Sequence, residues 1–258
     1  MSDPNNIYPT DRNRTDLDLD QVRGDSGASR QVLSESEGIG SEDTVVERRD
    51  FRIRVADTRG RRSKVSLLIE RMYSWRGYQT GTAKELPQNP HHITLVASRN
   101  DEVFGTITVG LDSSLGLTVD ELYRDELDAI RAEGRSVCEF VKLAVDFNYG
   151  TKDALASLFH LAYMYAHRIN CCDDIVIEVN PRHMVYYKRM LGFTQAGPER
   201  TCERVSAPAV LLRLPCTYAA EQIARHGGHK ADGARSLYPY FFSSQEEAGL
   251  CARIQHLA

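Results

Sequence analysis

The chain of 258 residues lacks the patterns that mark several large classes of protein. No apolar run approaches the roughly 20 residues that a membrane-spanning helix needs. The formal net charge is -4 and the pI is about 6.1, whereas a protein whose main partner is nucleic acid usually carries a basic domain. Gly-x-Gly-x-x-Gly and Walker loops are also missing, so nucleotide binding through such loops is not expected.

Cysteine and histidine are present without the spacing of a metal site. Of the six cysteines, Cys171 and Cys172 are adjacent and the others are scattered, without a Cys-x-x-Cys pair. The His91-His92 pair has no third ligand at a telling spacing. We therefore expect no metal and no disulfide framework. The polar, acidic first residues do not resemble a signal peptide, so we expect a cytoplasmic protein.

Composition divides the chain into three parts. Residues 1–45 are rich in Asp, Arg, Ser, Gly and Asn without apolar periodicity, which predicts a disordered leader. Residues 46–215 carry the strand and helix patterns of one α/β domain. Residues 216–258 predict a helical C-terminal extension. Its aromatic residues would suit an acyl-tunnel cover, a dimer contact or a peripheral membrane contact; they are Tyr238, Tyr240, Phe241 and Phe242.

The order of elements within the domain is a mixed α/β pattern. A helix is predicted at 64–75, and two strands flank a polar turn as an antiparallel hairpin. Thr118, with Glu121 three residues later, predicts a capping box that opens the next helix. A strand, a long helix, a strand, an Asn-led helix and a last strand follow, at 137–145, 153–169, 175–179, 180–192 and 209–214. Because the hairpin precedes a single β-α-β unit, the pattern is not an alternating Rossmann pattern.

One segment carries a clear resemblance to a known superfamily. Residues 178–193 form a strand followed by an Asn-led helix that ends in Tyr-Lys-x-x-Leu-Gly-Phe. This is similar to the last β-α unit of the GNAT acyltransferases, and the resemblance extends over roughly 51–214. It implies a mixed central sheet, flanked by helices, in which two parallel strands splay apart. Here those strands would be 137–145 and 175–179, with the thioester arm bound in the gap.

The resemblance also implies roles for individual residues. The backbone N–H of Leu143 would stabilise the oxyanion, and the pantetheine arm would contact Leu143, Ala144, Val145 and Asn180. Tyr187 resembles the helix tyrosine that protonates the leaving thiolate in many GNAT enzymes. An ordinary buried strand, a plain helix N-cap at Asn180 and a packed aromatic at Tyr187 remain alternatives.

The loop before the long helix departs from the acetyl-CoA-dependent pattern. Those enzymes usually have Gln/Arg-x-x-Gly-x-Gly/Ala, whose amides cradle the pyrophosphate at the helix N-terminus. Residues 146–153 read Asp-Phe-Asn-Tyr-Gly-Thr-Lys-Asp, with one glycine and an acid at each end. A pantetheine arm on acyl carrier protein needs no such cradle. We expect acyl-phosphopantetheine, or acyl-CoA, as a co-substrate and no tightly bound cofactor.

Two branches of the superfamily resemble the chain further. Acyl-homoserine lactone synthases carry Glu-x-x-Arg where residues 139–142 read Glu-Phe-Val-Lys, but their acidic pair before the hairpin is not visible at 85–92. Long-chain N-acyl amino acid synthases (the FeeM-like group) resemble it at 105–113, 116–117, 126–135, 139–146 and 180–193. The latter resemblance implies long-chain acyl transfer from acyl carrier protein to the α-amino group of an amino acid. A lactone synthase, an acetyl-CoA-dependent N-acetyltransferase and a non-catalytic lipid-binding module remain alternatives.

Two charged residues on the strand at 137–145 are candidates for the chemistry. Glu139 would deprotonate the attacking ammonium, directly or through a water, and Lys142 would bind the substrate carboxylate. Because neighbouring strand residues face opposite sides, both can enter one site only if the strand carries a bulge. A Glu–Lys pair on the surface is the alternative.

Further contacts are implied at two helices. Arg71, Trp75 and Arg76, on or near the first helix, lie where related enzymes bind the acceptor and the acyl chain. Arg182, Lys188 and Arg189 would form a positive patch for docking the acidic carrier protein beside the pantetheine mouth. A solvated charged face is the alternative for this patch.

Overall fold

The computed structural model describes residues 44–56, 59–75, 89–146, 148–231 and 233–257. Most of the predicted leader and Arg76 lie outside these residues, and the side chain of Trp75 is not described either. Within the described ranges, no helix is both long and apolar enough to cross a membrane.

The described residues form a mixed sheet whose strand order is β1-β2-β3-β4-β5-β6-β9-β7, with β8 paired to β9. The strands are β1 (Thr44–Glu47), β2 (Arg52–Val55), β3 (His92–Arg99), β4 (Glu102–Leu111), β5 (Val137–Val145), β6 (Asp174–Val179), β7 (Thr194–Gln195), β8 (Arg200–Cys202) and β9 (Ala207–Pro215). Only β5 and β6 run parallel; the other pairs are antiparallel. The predicted hairpin is β3–β4, joined by a turn at Asn100 and Asp101 with positive φ.

Helices cover both faces of this sheet. They are α1 (Arg59–Trp75), α2 (Asp120–Ala132), α3 (Lys152–Tyr163), α4 (Met184–Leu191), α5 (Cys216–His226) and α6 (Ser244–Leu257). One face packs against α1 and α2, where Leu127 of α2 contacts a cluster containing Val137 and Val176. Side chains alternate along a strand, so the neighbours Cys138 and Ile177 join the core on the α3 face.

Three predicted helix boundaries differ from the structure. The first helix begins at Arg59, so the basic residues at 59–62 belong to it. The helix predicted over 153–169 is α-helical only to Tyr163 and continues as a π-helical turn, Met164–Ile169. The capping box at Thr118 is wrong, since α2 begins at Asp120 without a side-chain cap. The Thr118 N–H, which the Glu121 side chain would accept in a capping box, donates instead to a buried carboxylate from β5.

The segment after β9 packs on the same core as the strands. The predicted boundary at residue 215 falls where β9 meets α5. Leu237, Phe241, Phe242 and Ile254 are buried in the cluster that contains the α3 face of the sheet. The two phenylalanines are therefore part of the interior and are not available for the membrane contact suggested for them.

Candidate active site

The parallel strands β5 and β6 separate part-way along their length. They pair only from Val137 with Asp174 to Glu139 with Val176. Beyond that point β5 continues to Val145 and β6 to Val179 without pairing to each other. The prediction of a splayed parallel pair is therefore confirmed, and the sheet opens in its middle.

A bulge in β5 lies beside this opening. In β4, Thr106 pairs with Ala144 and Thr108 with Val141, so that Lys142 and Leu143 both lie opposite one residue. Lys142 has φ +55°, a left-handed conformation that costs a residue with a Cβ about 1–3 kcal/mol and is concentrated at functional sites. This is the irregularity required for Glu139 and Lys142 to reach one site, and both side chains line the same cavity.

The cavity at the opening has a volume of about 460 Å³ and two chemically different parts. Buried apolar side chains, several of them on the α3 face, line the deep part; they are Ile107, Phe140, Val145, Leu155, Phe159 and Ile177. Polar side chains also line it, and these include Thr118, Glu139, Lys142, Glu178, Asn180, His183 and Arg204. The cavity therefore joins a polar region to an apolar end through the gap in the sheet.

Glu139 is fully buried at the polar end of this cavity. Its two carboxylate oxygens accept the backbone N–H groups of Thr118 and Val119, each at 3.0 Å, just before α2 begins. His92 Nε2 lies 4.0 Å from Glu139 Oε1. A Cβ on Gly110 would lie 2.9 Å from Glu139 Cγ, so the glycine leaves the room that the carboxylate occupies. The alternative of a surface Glu–Lys pair is excluded by this burial.

Burial disfavours the charged form of the two basic groups nearest to Glu139. It lowers the pKa of His92, against the attraction of Glu139, which acts in the opposite direction. It also lowers the pKa of Lys142, again opposed by Glu139. Among the described residues, the Lys142 ammonium has no hydrogen bond or ion pair. It is a partly buried cation in the cavity wall, an arrangement that suits an incoming anion.

Tyr187 and Asn180 line the cavity from the β6–α4 connection. The ring of Tyr187 makes edge contacts with Phe159, Tyr186 and Phe193, with centroids 6.4, 5.5 and 6.0 Å away. Asn180 Oδ1 accepts the N–H of Arg182 at 3.2 Å and caps the short turn that leads into α4. Each residue thus has the structural role considered as its alternative and also faces the cavity.

Comparison with known proteins identifies the family. The family model "N-acyl amino acid synthase FeeM" matches residues 64–215, more than half of the chain. The chain belongs to this family. The structure of FeeM, an N-acyl amino acid synthase from uncultured soil microbes, is similar at 27% identity and a TM-score of 0.61, over 66% of this chain and 94% of FeeM. With its split sheet, the protein is an N-acyltransferase of the GNAT fold.

More distant structures share less of the fold with this FeeM-family chain. The lactone synthase LasI is 12% identical, with a TM-score of 0.45 over 64% of this chain and 90% of LasI. An acyl-CoA N-acyltransferase from Pseudomonas aeruginosa is 16% identical, with a TM-score of 0.43 over 64% and 97% of the two chains. The comparison with curated proteins gave no match.

Several residues expected at the FeeM-family site lie beside the cavity. Leu143 and Val145 line it, whereas Ala144 does not and is buried against Leu68 and Met72 of α1. Arg71 is exposed and forms an ion pair with Asp146 at 2.9 Å. Its contact with substrate stays a prediction, as do those of Trp75 and Arg76, which lie in the part left undescribed. Arg182, Lys188 and Arg189, which were predicted to dock the carrier protein, are exposed, and that role stays a prediction.

Other cavity residues were not found from the sequence. Arg204, in the turn after β8, bonds Glu178 of β6 at 2.8 Å and Glu121 of α2 at 2.6 Å. Ile69 and Tyr73 of α1 also line the cavity. The arginine and its partners are 26 and 83 positions apart, so no local spacing signals the pair. Among the described residues, no group of three or more His, Cys, Asp or Glu side chains could hold a metal ion.

The loop that would cradle pyrophosphate in acetyl-CoA-dependent enzymes folds onto its own first residue. Asp146 Oδ1 accepts the N–H of Asn148 at 3.1 Å. The Asp146 carbonyl oxygen accepts those of Tyr149 and Gly150 at 3.1 and 2.8 Å. Thr151 Oγ1 then caps α3 by accepting the N–H of Ala154 at 3.1 Å. These four amides are therefore already bound within the chain.

Proposed function

We propose that this FeeM-family enzyme transfers a long-chain acyl group from an acyl carrier protein to the α-amino group of an amino acid. The cavity through the split sheet carries the proposal. Its apolar side chains suit an alkyl chain, and its polar side chains include the buried Glu139 carboxylate and the Lys142 ammonium, which has no hydrogen bond or ion pair with the described residues. A thioester at the junction would bring the acyl carbon between the two parts.

The reaction can be assigned to named groups. Glu139, directly or through a water, accepts a proton from the substrate ammonium, and the resulting amine attacks the thioester carbonyl. The N–H of Leu143, beside the bulge, is proposed to stabilise the oxyanion. The C–S bond then breaks and Tyr187 donates a proton to the leaving thiolate, which yields an amide and a free thiol. Lys142 would bind the substrate carboxylate through a charge-assisted hydrogen bond.

Carrier protein is favoured over CoA because of the loop that begins at Asp146. Three of its amides donate to Asp146 and one to Thr151, so none of the four is left for a diphosphate without breaking a bond. Asp146 also brings a carboxylate to the position where an anion would have to bind. A phosphopantetheine arm that is attached to a protein has no 3′-phospho-ADP diphosphate, so it needs neither free loop amides nor a loop without a carboxylate.

One face of α4 and its preceding turn is proposed as the docking surface for the carrier. Arg182, Val185 and Arg189 follow one another at spacings of three and four residues, and Lys188 lies beside them on the same helix. Val185 is 68% exposed. Lys188 and Arg189 have no ion pair with described residues. The neighbouring residues His183 and Tyr186 line the cavity, so an acidic carrier bound here would hold its arm near the mouth.

Purified enzyme should be incubated with palmitoyl-acyl carrier protein and a mixture of amino acids, and the products analysed by mass spectrometry. We expect N-palmitoyl amino acids, with palmitoyl-CoA at the same concentration a poorer donor. No acylated amino acid from either donor would refute the proposal. Parallel reactions with S-adenosylmethionine and with acetyl-CoA would reveal a lactone synthase or an acetyltransferase, and equal rates from the two palmitoyl donors would refute the carrier preference.

The docking surface needs its own comparison. Lys188→Glu should raise KM for the acyl carrier protein and leave KM for palmitoyl-CoA unchanged, because only the protein donor contacts the helix face. Arg253→Glu, an equal charge change at an exposed position on α6, is the control. Equal effects of the two variants on the carrier-protein KM would place the docking surface elsewhere.

A further inference from the structure

A single arginine gathers three aspartates next to the segment that holds Glu139. Arg131 of α2 bonds Asp112 through Nε and Nη2, at 2.7 and 3.0 Å. It bonds both oxygens of Asp120 through Nη1 and Nη2, each at 2.7 Å. A further bond of 2.7 Å joins Nη1 to Asp128. Every guanidinium nitrogen is therefore engaged, and the planar fork fixes two carboxylates relative to one another.

Asp120 connects this cluster to the backbone before α2. Its Oδ2 also accepts the N–H of Leu117 at 2.7 Å. The next two N–H groups along the chain, of Thr118 and Val119, are those that donate to Glu139. Gly116, at φ +74°, begins the segment, and a Cβ there would lie 2.8 Å from Asp120 Oδ2. Residues 116–119 are therefore held by Asp120 on one side and hold Glu139 on the other.

We propose that Arg131 is a positioning residue for catalysis: by fixing Asp112 and Asp120 it sets the place of the two backbone donors that orient Glu139. The inference rests on the proposed role of Glu139 as the base. Arg131 does not line the catalytic cavity but a separate cleft of about 620 Å³ that also contains Asp112 and Asp120. It therefore acts through the turn and touches no reacting atom.

The assignment gives a physical role to sequence segments that are far apart in the chain. Asp112 belongs to the segment 105–113, Gly116 begins 116–117, and Asp128 and Arg131 belong to 126–135, all of which resemble the long-chain synthases. The structure brings them together at one guanidinium. None of the four lines the catalytic cavity, so we expect their shared effect to be on the turn.

A purely structural role for Arg131 predicts a different result, and Arg200 provides the matched control. Arg200 of β8 donates to both carboxylate oxygens of Glu126 on α2, at 2.9 and 2.6 Å. Within the described residues it makes no hydrogen bond to the turn at 116–119. Arg200→Gln and Arg131→Gln each remove a bidentate arginine contact from α2. Both should lower the unfolding temperature, but only Arg131→Gln should alter catalysis.

The test compares Arg131→Lys, Arg131→Gln and Asp120→Asn with Arg200→Gln. We expect kcat of the first three to fall about 10-fold to 100-fold, the usual effect of displacing a catalytic group by about an ångström, with KM for both substrates nearly unchanged. His92 and Lys142 also face Glu139 and are left unchanged in all four variants.

Hydrogen–deuterium exchange supplies a readout that needs no substrate. Peptides covering 112–120 should exchange faster in Arg131→Lys than in wild type or Arg200→Gln. Unchanged exchange and unchanged kcat in the folded Arg131→Lys variant would overturn the inference, even if Arg131→Gln fails to fold. Glu139→Gln is assayed in parallel. Full activity of Glu139→Gln would refute the role of Glu139 as the base, and with it the positioning role of Arg131. An inactive Glu139→Gln beside fully active Arg131 variants would refute the positioning role alone.

Discussion

Two buried titratable side chains, Glu139 and His160, differ in what surrounds them. Both have 0% exposure, and both accept backbone N–H groups. Glu139 binds two donors and faces the cavity at the split sheet. His160 Nδ1 binds one donor, the N–H of Phe242 at 3.0 Å, and its ring stacks on Phe241 and Phe242 at centroid distances of 4.7 and 5.3 Å. It does not line the catalytic cavity.

This difference indicates which buried group can take part in chemistry. Because His160 Nδ1 is an acceptor, the ring is neutral, and burial lowers its pKa to about 3. The ring ties the C-terminal segment to α3 and contributes to stability. Glu139 is held just as firmly, but the cavity gives a substrate access to it. A shifted pKa or burial alone therefore does not mark a catalytic group. A buried titratable group that a substrate can reach through a cavity is the better candidate.

Replacing Glu139 by Gln should produce the largest change in activity. Loss of a general base typically lowers the rate by about 100-fold to 10,000-fold. Gln can still accept one of the two N–H groups, so the fold should survive with a lower unfolding temperature. Steady-state kinetics and thermal unfolding measure the two effects. Activity retained within a few-fold would show that Glu139 is a structural acceptor, as His160 is.

Gly110→Ala would disturb Glu139 without changing its chemistry. The new Cβ would lie 2.9 Å from both Glu139 Cγ and His92 Nε2, so the carboxylate must move. We expect a decrease in kcat of about 10-fold to 100-fold. Gly249→Ala is the control, because it lies in α6 with no atom within 4 Å of the new Cβ. There activity should be unchanged and stability should rise by up to about 1 kcal/mol.

Lys142→Met should weaken binding of the amino acid more than it slows the reaction. A hydrogen bond between charged groups contributes about 2 kcal/mol, so KM for the amino acid should rise about 30-fold. Since burial lowers the pKa of Lys142, wild-type KM should begin to rise at a pH below that at which an ordinary lysine loses its proton.

Lys142→Gly separates the charge from the backbone strain. Glycine accommodates φ +55° at little cost, so this variant should match or exceed the stability of Lys142→Met while showing the same rise in KM. An unchanged amino acid KM in both variants would show that the carboxylate binds elsewhere.

Local patterns predicted the elements more fully than the contacts between them. The bounds of β5 were predicted to the residue, because an apolar strand flanked by polar turns is a local signal. The Thr118 capping box failed because the Thr118 N–H, which Glu121 was expected to accept, donates to Glu139, 21 positions away on another strand. Arg204 was missed as a cavity residue, and Arg131 as a neighbour of the segment that holds Glu139, because partners such as Glu121 and Asp112 lie 83 and 19 positions away from them. Their partners are selected by the packing of α2 against the sheet, which sequence spacing does not encode.

The expected effect of His160 is on stability, and it depends on pH. In the unfolded chain a histidine has a pKa near 6.5, whereas native His160 has a pKa of about 3. Acid therefore protonates the unfolded chain first, and the free energy of unfolding should fall by about 1.4 kcal/mol for each pH unit below 6.5 from this group alone. His160→Gln keeps an acceptor for the Phe242 N–H but cannot titrate.

Urea unfolding of wild type and His160→Gln at pH 7.5, 6 and 5 measures this difference. The variant should be less stable at pH 7.5, by no more than the roughly 1–3 kcal/mol of a lost buried hydrogen bond, and should lose less stability as the pH falls. Its kcat at pH 7.5 should equal that of wild type, because His160 is sealed from the cavity. A decrease in kcat without unfolding would mean that the α3 core and the active site are coupled. His160 and Glu139 would then both affect catalysis and differ only in the size of that effect.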